Sequence, residues 1–252
     1  MSSDPIAHFP SEWGDPPETL ALSRDRVHVW MVRLNPTPPR LQVFWQTLAP
    51  DERARAERFH FERDRRRFIA ARGQLRMILG RYALVDPTAL AFSYGPRGKP
   101  FLSHPQRTPA ISFNLSHSGE LALAAVTHDR SVGVDIEEMR ALNDAEGIAE
   151  RFFSPREYSV FRAIPEQERL EGFYRCWTCK EAYVKATGDG LARPTESFDV
   201  AFSRGAAARL LSVEGEADEA ARWSMAALEP ARGYIGAIAV EGHNWSLACW
   251  RL

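Results

Sequence analysis

Two long helical stretches, residues 41–82 and 154–187, each stand between short strand-like runs, and this alternation limits the folds open to the chain. Val27 to Val32 is β-rich and reads as a strand, broken by Asn35-Pro36-Thr37-Pro38-Pro39. After Leu41 the composition turns helical and rich in arginine. Phe68, Ala71, Leu75, Ile78, Leu79 and Tyr82 recur at helical spacing and predict one buried face, ending at Asp86-Pro87. Leu90 to Tyr94, Ile111 to Leu115, Leu121 to Thr127 and Ser131 to Ile136 read as short strands. Gly95-Pro96-Arg97-Gly98 and Ser118-Gly119-Glu120 are turn signals between them. Ser154-Pro155-Arg156-Glu157 is a helix start with Ser as N-cap, Pro at the first position and Glu closing a capping box. Pro165 opens a second helix that runs to about Thr187, with Gly188 placed for a C′ glycine. Phe198 to Phe202, Trp223 to Leu228, Tyr234 to Val240 and Trp245 to Arg251 return to strands. The order strand, helices, strands thus occurs twice, and the two passes meet near residues 128–131. It predicts an α+β fold of two similar subdomains, residues 1–129 and 130–252, although no residue-level repeat is visible. Residues 1–25, rich in Pro and Asp, read as an irregular start.

The 252 residues suit this division, since each half falls in the ordinary domain range. Lys+Arg is 32 against Asp+Glu 33, a net charge of −1, which disfavours a globally basic nucleic-acid binder. Three cysteines cannot build a disulfide framework and point to a reducing compartment. No basic segment followed by an apolar run marks a secretory signal, and no apolar run approaches a membrane span. A soluble, cytoplasmic protein with no membrane or nucleic-acid partner is expected.

Several clusters carry chemistry. In Gly133-Val134-Asp135-Ile136-Glu137, residues two apart on a strand share a face, so Asp135 and Glu137 stand together while Val134 and Ile136 face the core. Taken alone, such a pair is most simply a solvated strand end. With a cation between them, the carboxylates suit Mg²⁺. Trp177, Glu181 and Lys185 fall on one helix row at i, i+4 and i+8. A Glu–Lys pair at i, i+4 is commonly a surface ion pair, but Trp177 on the same row predicts a partly buried face. Asn114-Leu115-Ser116-His117-Ser118-Gly119 follows a strand and ends in a turn, where Ser and His can donate to an anion. Gly98-Lys99-Pro100 is a weak phosphate-loop signal, lacking the full P-loop pattern. The arginine-rich stretch from Arg53 to Arg76 is interleaved with acids and reads mostly as a solvated helix face. Cys176-Trp177-Thr178-Cys179 lies inside a helix, away from the helix N-terminus a redox pair uses, so both cysteines read as packing residues.

Together, and in this order, the Gly-Lys-Pro loop, the Asn-x-Ser-His-Ser turn, the Gly-Val-Asp-Ile-Glu strand and the Trp-x-x-Lys-Glu-Ala-x-x-Lys helix resemble the Sfp-type 4′-phosphopantetheinyl transferases. The resemblance spans roughly residues 27–250. It implies two α+β subdomains related by a pseudo-twofold axis, with the active site in the cleft between them. It implies transfer of 4′-phosphopantetheine from coenzyme A to a serine of an apo acyl or peptidyl carrier protein, with Mg²⁺, leaving adenosine 3′,5′-bisphosphate. Carried over by position, Asp135, Glu137 and Glu181 become the Mg²⁺ ligands. Lys99, Ser116 and His117 hold the coenzyme A phosphates, Arg67 its 3′-phosphoadenosine end and Lys185 a transferring phosphate, while Arg55 falls where an earlier helix supplies a basic residue to the coenzyme A site. Asp135 also counts toward the coenzyme A site through its metal. Glu52 stands where a basic residue is expected, with Arg53 as a possible substitute. The proton of the carrier serine passes to Glu181 or to a metal-bound water.

A metal-dependent nuclease built on the same carboxylates is the main alternative, against which the near-zero charge and the Asn-x-Ser-His-Ser segment argue. A non-catalytic binder of coenzyme A or of a carrier protein is the other. Met139 to Phe153 is a candidate carrier-docking loop, offering Met139, Leu142, Ile148, Phe152 and Phe153 between Arg140 and Arg151. A monomer is expected, since one chain supplies both walls of the cleft.

Overall fold

The computed structural model describes residues 13–103 and 110–252, so residues 1–12 of the irregular start lie outside the described residues. In chain order the elements are β1 (Arg26–Arg33), α1 (Pro38–Thr47), α2 (Pro50–Glu57), α3 (Glu62–Ala83), β2 (Phe92–Tyr94) and β3 (Pro100–Leu102). Next come β4 (Ile111–Ser118), β5 (Leu121–His128), β6 (Val132–Glu138), α4 (Ala145–Phe152), α5 (Pro155–Ala163) and α6 (Glu166–Thr187). The chain closes with β7 (Phe198–Ala201), β8 (Arg209–Val213), β9 (Trp223–Leu228), β10 (Tyr234–Glu241) and β11 (Ser246–Arg251).

Two sheets organise these elements. One has the order β11-β1-β5-β4 and the other β6-β10-β9, with β2-β3 and β7-β8 as small hairpins. Strand alternation explains how they stack. Val27, Val29 and Met31 of β1, with Leu121, Leu123 and Ala125 of β5, meet Val132, Val134 and Ile136 of β6 in a shared core between the sheets. The opposite face of the first sheet, Trp30, Val32, Ala122, Ala124 and Val126, is covered by α3 through Ile69, Leu75, Ile78 and Leu79. The opposite face of the second, Met225, Ile235, Ala237 and Ala239, is covered by α6 through Cys179, Ala182, Tyr183 and Ala186. The result is a helix, sheet, sheet, helix stack, with a 22-residue helix on each outer side. Residues 130–252 hold the whole of the second sheet, yet their last strand, β11, pairs in parallel with β1 of the first.

Local chemistry sets the helix ends. Ser154 accepts from the Glu157 N–H while Glu157 accepts from the Ser154 N–H, the capping box expected there. Gly188 ends α6 with φ 78°, a left-handed conformation that favours glycine. Four segments differ from the sequence reading. Asn114 to Ser118 belongs to β4 rather than to a turn, because its alternate polar side chains all find partners on β6. The expected docking loop contains the helix α4, started by the Asp144 carboxylate on the Gly147 N–H. The short strands β3 and β8 were not anticipated; at three and five residues they are too brief for a periodicity.

Candidate active site

The floor of the site is the β6 face turned toward α6. Gly133 begins it, and a Cβ there would lie 2.1 Å from the Ala182 carbonyl oxygen and 2.3 Å from the Ala186 nitrogen. Its missing side chain is what lets α6 lie directly on β6. The same strand face carries Asp135 and Glu137, two and four residues on, and brings Asp135 under Lys185.

Asp135 is buried. Its Oδ1 accepts from Lys185 Nζ at 2.5 Å and from Ser116 Oγ at 2.8 Å, and Lys185 Nζ also donates to Ser116 Oγ at 2.8 Å. Its Oδ2 is buried with no hydrogen-bond partner among the described residues. Glu137 Oε2 accepts from Ser118 Oγ at 2.8 Å. Burial raises the Glu137 carboxyl above its ordinary range, with Asp135 and Glu181 adding to the rise and Ser118 and Lys185 opposing it. Glu181 is raised in the same way, first by burial and then by Asp135, against Lys185. Three carboxylates thus share one field with a single lysine drawn in among them.

Among the described residues no group of three or more His, Cys, Asp or Glu side chains is arranged to hold a metal ion. The donor set nevertheless fits one. An orphaned, buried carboxylate oxygen beside two desolvated carboxylates is a site that a hard divalent cation would satisfy.

Trp177, Glu181 and Lys185 are each half-buried while their helix neighbours are largely buried, and all three line one cleft. This is the row expected from their spacing. The cleft has a volume of about 720 Å³, and the Arg97 to Pro100 turn forms part of its wall. Lys99 lies in that turn, but its ammonium is engaged: Nζ donates to the Val132 carbonyl at 3.0 Å and to the Ala186 carbonyl at 2.8 Å. It ties the turn to β6 and α6, and burial pushes its pKa down to about 8. His117 is the exposed residue of β4, on the strand face it shares with Phe113 and Leu115, and partial burial lowers its pKa. Arg67 pairs with Glu120 just past the β4 end. Arg55 is exposed, its guanidinium 5.3 Å from the centre of the Phe68 ring. The structure therefore brings Ser116, Asp135 and Lys185 into direct contact, groups Glu137 and Glu181 with them electrostatically, and leaves Arg55 exposed over Phe68 of α3.

Two residues at positions singled out by the resemblance, Glu52 and Lys180, are structural. Glu52 is buried and accepts from Arg72 Nε, from Arg76 Nε at 2.6 Å and from the Ala49 N–H at 2.8 Å, so it clamps α2 to α3. Its departure from a basic residue follows from that role. Arg53 turns away from the site, donating to the Trp45 and Gln46 carbonyls. Lys180 is buried and donates to Glu157 at 2.5 Å and to the Phe198 carbonyl at 2.7 Å, joining α6 to α5 and β7. Cys176 and Cys179 are packing residues, as read; burial pushes the Cys179 thiol up to about 12. In the expected docking segment Phe153 is core, stacked on Phe173 at 5.5 Å, and cannot face a partner. Arg140 remains exposed but pairs with Glu138, and Arg151 lies over Phe152.

Sequence reading missed an ionic clasp across the cleft. Asp189, between Gly188 and Gly190, accepts from Arg97 NH1 at 3.0 Å and from Arg193 Nε at 2.8 Å. It also missed roles for Asn114 and Ser118, whose signal was the alternation of polar residues along a strand.

Comparison with known proteins agrees with this architecture. The family model described as the 4′-phosphopantetheinyl transferase superfamily matches residues 131–239, and that described as the 4′-phosphopantetheinyl transferase N-terminal region matches residues 32–129. The 4′-phosphopantetheinyl transferase HetI of Nostoc sp. is 43% identical over 238 residues, which are 94% of this chain and 97% of HetI. The chain belongs to the Sfp-type 4′-phosphopantetheinyl transferase family. Within that family, the transferase psf-1 of Bacillus pumilus is 36% identical, covering 66% of this chain and 69% of psf-1. Sfp of Bacillus subtilis is 32% identical, covering 62% of this chain and 67% of Sfp. As a 4′-phosphopantetheinyl transferase the chain is an enzyme, and the nuclease alternative gains no support. No helix among the described residues is long and apolar enough to cross a membrane.

Proposed function

We propose that this transferase moves 4′-phosphopantetheine from coenzyme A to a serine of an apo acyl or peptidyl carrier protein, working as a monomer with Mg²⁺ at Asp135, Glu137 and Glu181. We read residues 1–129 and 130–252 as its two subdomains. The observation that carries the reading is the contact of Lys185 with Asp135 and Ser116 beside the orphaned Asp135 oxygen, at the edge of the cleft.

Coenzyme A presents a pyrophosphate, and the carrier serine oxygen must bond to the phosphorus next to the pantetheine. The bond from that phosphorus to the oxygen of the nucleotide half then breaks. Negative charge builds on the departing phosphate, so fixed positive charge beside it lowers the barrier. Lys185 supplies such charge from the cleft wall, and His117 on β4 lies within the electrostatic reach of both Lys185 and Arg67. Lys99 contributes through its turn, by holding the Gly98 to Pro100 backbone against β6 and α6. Glu181 lines the cleft, which supports it as the group that takes the proton of the incoming serine, directly or through a bound water. A cation on the three carboxylates would polarise the phosphoryl oxygens when bound.

The test is the mass gain of an apo carrier protein incubated with coenzyme A and Mg²⁺, read beside circular dichroism. Asp135→Ala and Glu181→Ala are expected to keep the fold and lose transfer. Near-wild-type turnover in either variant would sink the carboxylate assignment.

A further inference from the structure

Asn114, Ser116 and Ser118 alternate along β4 and so face one way. Each reaches β6. Asn114 Oδ1 accepts from the Val134 N–H at 2.9 Å, Ser116 donates to Asp135 Oδ1 at 2.8 Å, and Ser118 donates to Glu137 Oε2 at 2.8 Å. The backbone of β4 pairs with β5 and that of β6 with β10. The seam between the two sheets is therefore closed by side chains, and two of them end on carboxylates of the site.

Ser118 has no part in the chemistry described above, yet its bonding is fully specified. Its Oγ also accepts the Glu138 N–H at 3.1 Å. A hydroxyl carries one proton and two lone pairs. With a backbone N–H directed at a lone pair, the proton is left for Glu137. Both ends of this clamp are held by main-chain pairing, Ser118 opposite Leu121 and Glu137 opposite Ile235.

We propose that Ser118 is a positioning residue: it sets the orientation in which Glu137 meets the divalent cation. The inference rests on the carboxylate reading given under Proposed function. Partners that orient a metal ligand typically change metal affinity by about 10–100-fold when removed.

The experiment titrates Mn²⁺ onto the full chain and follows the free-ion signal by electron paramagnetic resonance. Ser118→Ala is expected to bind Mn²⁺ about tenfold more weakly, and Ser118→Thr, which keeps the hydroxyl, to bind within about threefold of wild type. In carrier modification, Ser118→Ala raises the apparent KM for Mg²⁺ about tenfold and leaves kcat at saturating Mg²⁺ within about twofold. If Ser118→Ala does not fold, Ser118→Cys, a weak donor of similar shape, carries the same expectation. A lowered Tm with unchanged Mn²⁺ affinity would make Ser118 merely structural and overturn the proposal. Asp135→Ala separates the two levels. Loss of Mn²⁺ binding in Asp135→Ala with wild-type binding in Ser118→Ala rejects only the Ser118 role. Equal binding by wild type and Asp135→Ala rejects the carboxylate reading and this proposal with it.

Discussion

Lys185 Nζ lies 2.5 Å from Asp135 Oδ1, so a protein cation already stands on the carboxylate proposed to bind a metal. A divalent ion at this carboxylate would compete with that ammonium, which would leave Lys185 available to a phosphate. Lys185→Met is therefore expected to lose carrier modification while binding Mn²⁺ about tenfold more tightly or better, since a nearby like charge is removed. Isothermal titration with Mn²⁺ beside the mass-shift assay reads both effects. Weaker Mn²⁺ binding in the variant would contradict the competition.

Gly133 is a point of close approach between β6 and α6. An alanine there would place its Cβ 2.1 Å from the Ala182 carbonyl oxygen, against backbone that cannot swing aside. Gly133→Ala should push α6 off β6, cost about 1–3 kcal/mol by overpacking, and separate Lys185 from Asp135. The check is urea unfolding together with kcat/KM for a carrier protein. The expected loss of kcat/KM exceeds any change in the folded fraction.

The architecture was largely legible in the chain, because α3 carries a helical apolar spacing, α5 and α6 have clear end signals, and the strands of the two main sheets are mostly β-rich apolar runs. So was the Trp177, Glu181, Lys185 row, which spacing alone puts on one helix face. What was not legible depends on tertiary partners. Nothing local distinguishes Glu52, buried between Arg72 and Arg76, from the exposed acids around it. Lys180 and Lys185 sit in one motif, yet one points into the core and the other to the cleft, a difference of helix angle that only packing assigns. Lys99 looks like a free phosphate binder until β6 and α6 present their carbonyls to it. The return of β11 to β1 is equally silent, since parallel pairing across the chain's length leaves no local pattern.

Glu52 gives a prediction about stability alone. Glu52→Ala would leave Arg72 and Arg76 without their shared carboxylate in a buried position, at a cost of about 3–5 kcal/mol. Thermal and denaturant unfolding should show that loss. At a temperature where the variant remains folded, the KM for coenzyme A should stay close to wild type, because Glu52 faces the α2–α3 interface rather than the cleft. A large rise in that KM would return Glu52 to the substrate site.

His28 predicts how stability depends on pH. Its Nδ1 lies 2.8 Å from Tyr82 Oη, which also accepts from Trp30 Nε1 at 2.8 Å. Burial, aided by the Arg26 charge, lowers the His28 pKa from 6.5 to about 4. Between those values the unfolded chain binds the proton and the folded chain does not. The contribution of His28 is thus intact above about pH 6.5 and declines as pH falls toward about 4, by at most about 3 kcal/mol. His28→Asn keeps an acceptor near Tyr82 and cannot titrate. The expected result is that the stability difference between wild type and His28→Asn shrinks as pH falls from 7 to about 4.5, measured by urea unfolding at each pH. A pH-independent difference would show that His28 is protonated in the fold as readily as in the open chain.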